Sequence, residues 1–219
     1  MKRELRITGD GSHTLYVPEL DEPYHSIHGA LQESEHVFVN QGLRMVKKSS
    51  LRILEIGFGT GLNALLTLAE SRKQGIHIYY HAVEKYPLQE EEHRQINYEQ
   101  FIKGITPGSL DRLHSVPWEE EIHITDHFVL FKEQSDFREM ESGEAFDLVY
   151  YDAFAPAKQP YLWSEKIFDR IFRMMNPGGI LVTYTAKGSV RRALASCGFH
   201  VEKAPGPPGK REMIRAVRS

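Results

Sequence analysis

Gly57, Gly59 and Gly61 stand in a G-x-G-x-G spacing between the apolar run "LRILEI" and the stretch "LNALLTLAE". Glycine just past a buried strand permits positive φ and lets a ligand come close to the backbone. A dinucleotide-binding turn would put its third glycine at position 62, and Leu62 is there. Glu55 lies inside the strand, two residues before the first glycine. A carboxylate there repels a pyrophosphate, but it can organise the loop or attract an ammonium. S-adenosylmethionine (SAM) has an ammonium and a sulfonium and no phosphate, so this turn, with Phe58 and Thr60 between its glycines, fits SAM better than NAD. Glu84 follows Gly61 by 23 residues and ends a second apolar strand, where an acid can grip ribose hydroxyls. Asp136 and Phe137, in "EQSDF", end a further strand. Asp136 can meet an adenine amine and Phe137 can supply apolar wall, or the Gln-Ser-Asp stretch can cap a helix.

A second loop can supply the reacting group. "DLVYYDAFAPAKQPYLW", residues 147–163, starts as an apolar strand that delivers Asp152 to the same sheet edge. Methyl transfer from a sulfonium is an in-line displacement, so positioning supplies much of the rate. An amine acceptor must lose its ammonium proton before its lone pair attacks. A carboxylate near the methyl group can orient the amine and accept that proton. Asp152 is the candidate, and a loop-bracing or N-cap aspartate is the other reading. Pro156 and Pro160 stiffen the loop, with Tyr151, Phe154, Tyr161 and Trp163 around it. Tyr161 and Trp163 can stack on a base, although Trp163 equally suits the apolar start of a helix.

Alternating strand and helix signals position these loops. Residues 1–17 read as a β-hairpin around Gly-Asp-Gly, 18–30 as turn-rich, and 30–43 as a helix on the core. There follow a strand "LRILEI", a helix over 61–72, a strand "IHIYYHAVE" and a helix "LQEEEHRQINYEQFI" behind Pro87. Next come a hairpin "EIHITDHFVLFKEQ", a strand "AFDLVYYDAF" and a helix "WSEKIFDRIFRMMN" stopped by Pro-Gly-Gly. The strand "GILVTYTA", the helix "SVRRALASC" ended by Gly198, and the strands "FHVEKA" and "REMIRAVR" close the chain. This alternation implies an α/β fold with a mostly parallel sheet and right-handed crossovers. Its finish, a helix and then two strands, implies an antiparallel last strand. That sheet is the Rossmann-like one of class I SAM-dependent methyltransferases, not the fully parallel dinucleotide sheet. Residues 1–45 are expected to form an extension packed on the core, and residues 46–219 the methyltransferase domain.

A chain of 219 residues with 41% apolar content suits one such domain. No apolar run approaches the ~20 residues that cross a bilayer, and "MKRELRITGDG" has no apolar h-region. Cys197 is the single cysteine, which excludes an internal disulfide and suits a reducing cytoplasm. No metal-ligand spacing, nucleophile elbow or Walker motif is present, so no metal is expected. Net charge is −3, which argues against a strongly basic nucleic-acid binder. From Lys187 onward, however, eight Lys/Arg face two Glu, a local balance of +6. That stretch is either a landing place for a polyanion or a solvated face.

"LEIGFGTGLNALLTL", "EKYPL", "DAFAPAKQPYLW", the terminal "KREMIRA" and the entry segment "YHSIHGALQESEHVFVNQGL" together resemble the methyltransferase domain of the bifunctional MnmC family. The resemblance implies a cytoplasmic SAM-dependent N-methyltransferase that converts 5-aminomethyl-2-thiouridine at the tRNA wobble position to its methylaminomethyl form. It places Glu55, Gly57, Gly59, Gly61 and Asn63 on the SAM loop, Glu84 and Lys85 on the ribose side, and Asp152 as the catalytic aspartate. Tyr24 and Ser26 would line the cofactor pocket. Lys158, Lys210 and Arg211 would meet phosphate, and Phe154, Tyr161 and Trp163 the base. The implied partner is the tRNA anticodon loop, whose single-stranded wobble base is exposed at little cost. The family's FAD-dependent oxidase domain has no second glycine fingerprint here, so that step would fall to another polypeptide or the substrate would arrive already trimmed. The loops alone also suit a methyl- or aminopropyl-transferase acting on a small amine, or an inactive SAM-sensing module.

Overall fold

The computed structural model describes residues 1–140, 143 and 145–219. The N-terminal hairpin forms as expected from β1 (Glu4–Ile7) and β2 (His13–Val17), and a two-residue β3 (Glu22–Pro23) adds to it. The next helix is shorter than its pattern suggested. α1 covers Ala30–Ser34 and continues as a π-helical stretch over Glu35–Asn40. Val37, Phe38 and Val39 are all buried there.

The main sheet has eight strands: β4 (Ser50–Ile56), β5 (His77–Val83), β6 (Glu121–Thr125), β7 (Phe128–Glu133), β8 (Phe146–Tyr151), β9 (Met175–Thr183), β10 (Phe199–Pro205) and β11 (Glu212–Arg218). Their spatial order is β10-β11-β9-β8-β4-β5-β7-β6. β7, β5, β4, β8 and β9 run parallel, while β11 is antiparallel to both β9 and β10. The antiparallel finish is therefore present, with β11 inserted between its neighbours. β6 and β7 form the expected hairpin at the other edge. Strand β8 is buried at all six positions, as a strand covered on both faces must be.

Helices cover both faces. α2 (Leu62–Gln74) and α4 (Ser109–Ser115) pack with the π-helical stretch on one side. α5 (Glu165–Met174) and α6 (Gly188–Ser196) pack on the other. α5 buries Ile167, Phe168, Ile171 and Met174, each contributing roughly 1.5–3 kcal/mol of apolar burial.

Two sequence expectations fail and one element is unforeseen, each for an identifiable reason. The helix expected over "LQEEEHRQINYEQFI" stops as α3 (Glu90–His93), with only a 3₁₀ turn later. Asn97 ends it by bonding the N-terminal hairpin, accepting from His13 N at 2.8 Å and donating to Gly11 O at 3.0 Å. The sequence reading gave no element at α4. Its N-terminal amides on Gly108 and Leu110 are capped from a distance by the Glu99 carboxylate, at 2.9 and 2.6 Å. Pro177-Gly178-Gly179 does not separate helix from strand, because β9 already begins at Met175. The turn residues lie at a register shift between the Phe146 and Leu148 pairings.

Candidate active site

The carboxyl ends of β4, β5, β7 and β8 share one edge, and the strand order reverses between β4 and β8, where open α/β sheets bind ligands. After β4 the chain turns through Gly57 and Gly59 at φ of 94° and 49°. A Cβ on Gly57 would lie 2.8 Å from the Asp152 carbonyl oxygen, and one on Gly59 3.0 Å from the Tyr24 ring. Glycine thus lets the turn sit against both the end of β8 and the N-terminal segment. Beneath the turn, neutral His114 donates from Nε2 to Thr60 O at 3.0 Å. Burial lowers its pKa to about 3. Lys132, fully buried on β7, donates to His114 O at 2.6 Å and stands 4.5 Å from the Trp118 ring centroid. Desolvation lowers its pKa to about 8.

Glu84 follows β5. Its Oε2 accepts from Gly59 N at 3.0 Å and its Oε1 from Tyr86 N at 2.7 Å. Each oxygen keeps a lone pair, so a pair of vicinal hydroxyls can still be held. Asp136 is different. Arg138 takes Oδ1 through its backbone N and Nε, both at 3.0 Å, and Oδ2 through Nη2 at 2.6 Å, while Lys85 takes Oδ2 at 2.9 Å. The Arg138 contacts hold this carboxyl well below the ordinary range. All four lone pairs are used, so an adenine amine has to displace one of these donors.

At the end of β8, Asp152 Oδ2 accepts from Asn63 Nδ2 at 2.8 Å. The same Nδ2 donates to Glu55 Oε1 at 2.9 Å. Desolvation raises the Asp152 pKa to about 7, and drives Glu55 well above the carboxylate range. The loop beyond Asp152 is anchored by Ala155 N, which donates to Glu22 Oε1 at 3.0 Å.

Tyr24, Ser26, Gly57, Phe58, Gly59, Thr60, Asn63, Glu84, Lys85, Asp136, Phe137 and Asp152 all line one cavity of about 400 Å³, as do Phe154, Tyr161 and Lys210. Gly61 and Glu55 do not reach its wall. Glu55 is fully buried behind Asn63. Trp163 is not a stacking platform. It is 6% exposed, packs on Tyr151 and donates Nε1–H to Phe154 O at 2.9 Å, so its faces belong to the core. Lys210 does not await a phosphate. It pairs with Glu33 at 2.6 Å inside the cavity and lies over the Tyr184 ring. Lys158 and Arg211 are exposed outside it.

Comparison with known proteins agrees with this geometry. Residues 113–219 match a family described as S-adenosyl-L-methionine-dependent methyltransferase. The crystal structure of MnmC2 from Aquifex aeolicus superposes with a TM-score of 0.80 at 29% identity, covering 100% of this chain and 71% of that one. The chain has the fold of class I SAM-dependent methyltransferases. The tRNA 5-methylaminomethyl-2-thiouridine biosynthesis bifunctional proteins MnmC of Pseudoalteromonas atlantica and Cupriavidus metallidurans are 30% and 31% identical to it, over 98% and 96% of its length. The chain spans about a third of the length of these curated relatives.

Its residues fit SAM. Asn63 Oδ1, in a residue on the cavity wall, is buried without a partner among the described residues and can accept from an amino group. Glu84 has the acceptors for ribose hydroxyls, and the backbone approaches the cavity at Gly57 and Gly59. Glu22, Glu33 and Tyr184 also line the cavity, and the sequence reading missed them. Glu22 and Glu33 lie in polar N-terminal stretches with no motif spacing, and only folding of the N-terminal segment over the sheet edge brings them in. Among the described residues no helix is long and apolar enough to cross a membrane, and no group of three His, Cys, Asp or Glu is placed to hold a metal ion.

Proposed function

We propose that this methyltransferase acts on the primary amine of 5-aminomethyl-2-thiouridine at the tRNA wobble position, forming 5-methylaminomethyl-2-thiouridine. The observation that carries the proposal is Asp152, a carboxyl with a pKa near 7 on the cavity wall beside the glycine turn. SAM, when bound, supplies an electrophilic methyl group. Asp152 then accepts a hydrogen bond from the acceptor amine, orients its lone pair and takes the proton released. Glu22 lines the cavity and, when ionised, favours a cationic amine entering it, while Lys210 balances the charge of Glu33.

The cavity mouth supports an RNA acceptor. Tyr86 and Tyr161 are 48% and 46% exposed, and Arg138 stacks on the Tyr161 ring at 4.6 Å. Lys85 Nζ stands 5.3 Å from the Tyr86 ring centroid, and Lys158 is exposed. These groups suit unstacked bases and the flanking phosphates of an anticodon loop. The names of the relatives describe bifunctional proteins, and a separate FAD-dependent oxidase is the proposed source of the aminomethyl substrate where it does not arrive directly.

The test is incubation with methyl-labelled SAM and tRNA from cells lacking this modification step, followed by mass spectrometry of the nucleosides. Label in 5-methylaminomethyl-2-thiouridine supports the assignment. Label transferred only to a free small amine contradicts it.

A further inference from the structure

We propose that Asn63 is a positioning residue for Asp152: its single side-chain NH₂ bridges Glu55 and Asp152, fixing one oxygen of the reacting carboxylate and leaving the other for the acceptor. This rests on the methyl-transfer reading above and assigns Asn63 a role beyond holding the cofactor. Asn63 is the second residue of α2 and is 2% exposed. Its Nδ2 carries two hydrogens and the structure uses both, one toward Glu55 Oε1 at 2.9 Å and one toward Asp152 Oδ2 at 2.8 Å. The amide is oriented with its nitrogen toward both carboxyl groups, which leaves Oδ1 turned away from them. Among the described residues Asp152 Oδ1 has no hydrogen-bond partner, and it is not sealed from the cavity.

The bridge solves a problem set by the fold. β4 and β8 are adjacent parallel strands with Glu55 opposite Tyr150, so two acids end up close together in a buried place. A shared donor gives each acid one hydrogen bond. The charged and titratable groups that act on Asp152 come from every side: Glu33 from α1 and Lys210 from the β10–β11 loop, with Asp152 in turn acting on Glu55, Tyr80, Tyr98 and Tyr184. Asn63 is the neutral member, and its hydrogen bond favours the ionised carboxylate that a proton-accepting role requires.

The experiment uses Asn63→Leu, which keeps the branched shape and removes both donors, and Asn63→Ser, which keeps one hydrogen and is the more tolerant substitution for folding. Asp152 is titrated in the cofactor-free protein by carboxyl-selective ¹³C NMR, assigned with Asp152→Asn. SAM affinity and single-turnover methyl transfer are measured across pH on the same samples. Losing a hydrogen bond to a charged group raises the Asp152 midpoint by about one to two pH units in Asn63→Leu, with Asn63→Ser between it and the wild type. A midpoint moved from about 7 by that amount leaves roughly 5- to 50-fold less ionised carboxylate at pH 7, so the rate falls by at least that factor and the deficit narrows toward pH 9.5.

An unmoved Asp152 titration, with SAM affinity lost, overturns the proposal and makes Asn63 a cofactor ligand only. A moved titration with equal rates at every pH also overturns it. If the titration moves as expected but wild-type protein fails to methylate an aminomethyluridine RNA at any pH, it is the acceptor assignment that falls, and the bridge's hold on Asp152 stands.

Discussion

Substituting Gly57 by alanine tests whether the cofactor turn is shaped by its approach to Asp152 or only by its backbone conformation. The comparison is Gly75, the left-handed cap of α2, at φ 65° with nothing within 4 Å of an added Cβ. Gly57, at φ 94°, meets the Asp152 carbonyl oxygen at 2.8 Å. Both alanines incur the left-handed penalty of about 1–2 kcal/mol. Only Gly57→Ala adds a backbone clash, at the scale of core overpacking, about 1–3 kcal/mol more. For a chain of this size each kcal/mol shifts Tm by about 2–4 °C. Gly75→Ala should therefore melt about 2–8 °C below wild type, and Gly57→Ala a further 2–12 °C lower. Because the clash displaces the Asp152 backbone, Gly57→Ala should also weaken SAM binding by calorimetry, whereas Gly75→Ala should not. Equal melting temperatures and equal SAM affinities for the two variants would refute the steric argument.

Three further outcomes follow from particular contacts. Glu84→Gln keeps shape but trades a charged acceptor for a neutral amide, and should raise the SAM Kd by roughly 10-fold; an unchanged Kd removes Glu84 from the ribose. Trp163→Phe should lower stability by about 1–2 kcal/mol through the lost bond to Phe154 O and leave the acceptor KM unchanged, as steady-state kinetics will report. Lys132 has a folded pKa of about 8, below its unfolded value. Above pH 8 the folded chain sheds that proton while the unfolded chain keeps it, so this residue adds stability as pH rises from about 8 to 10.5. Urea unfolding at pH 7.5 and 9.5 should show wild type gaining about 2 kcal/mol relative to Lys132→Met; a constant difference contradicts a buried charged lysine.

The parts of the fold and site legible in the sequence were those encoded locally. The strand-glycine-helix run at 51–74, the β6–β7 hairpin and the antiparallel finish each carry their own periodicity and turn residues. The strand ends then placed Glu84 and Asp152 at one edge without further information. What the sequence did not reveal depends on partners distant in the chain. Glu99 caps α4 and Asn97 is claimed by the first hairpin, so neither boundary shows locally. Lys210 reads as a solvent-facing cation until Glu33, 177 residues away, is folded against it. Trp163 has the composition of a stacking residue, and only the position of Phe154 O turns it into the core.

The central claim is that Asp152 handles the acceptor's proton while the glycine turn holds SAM. Single-turnover methyl transfer to an aminomethyluridine-containing anticodon stem-loop, at saturating SAM and pH 7.5, tests it with wild type and Asp152→Asn side by side. The account predicts a rate lower by about 10²–10⁴-fold in Asp152→Asn, with SAM affinity within a few-fold of wild type. A wild-type rate in Asp152→Asn would contradict it.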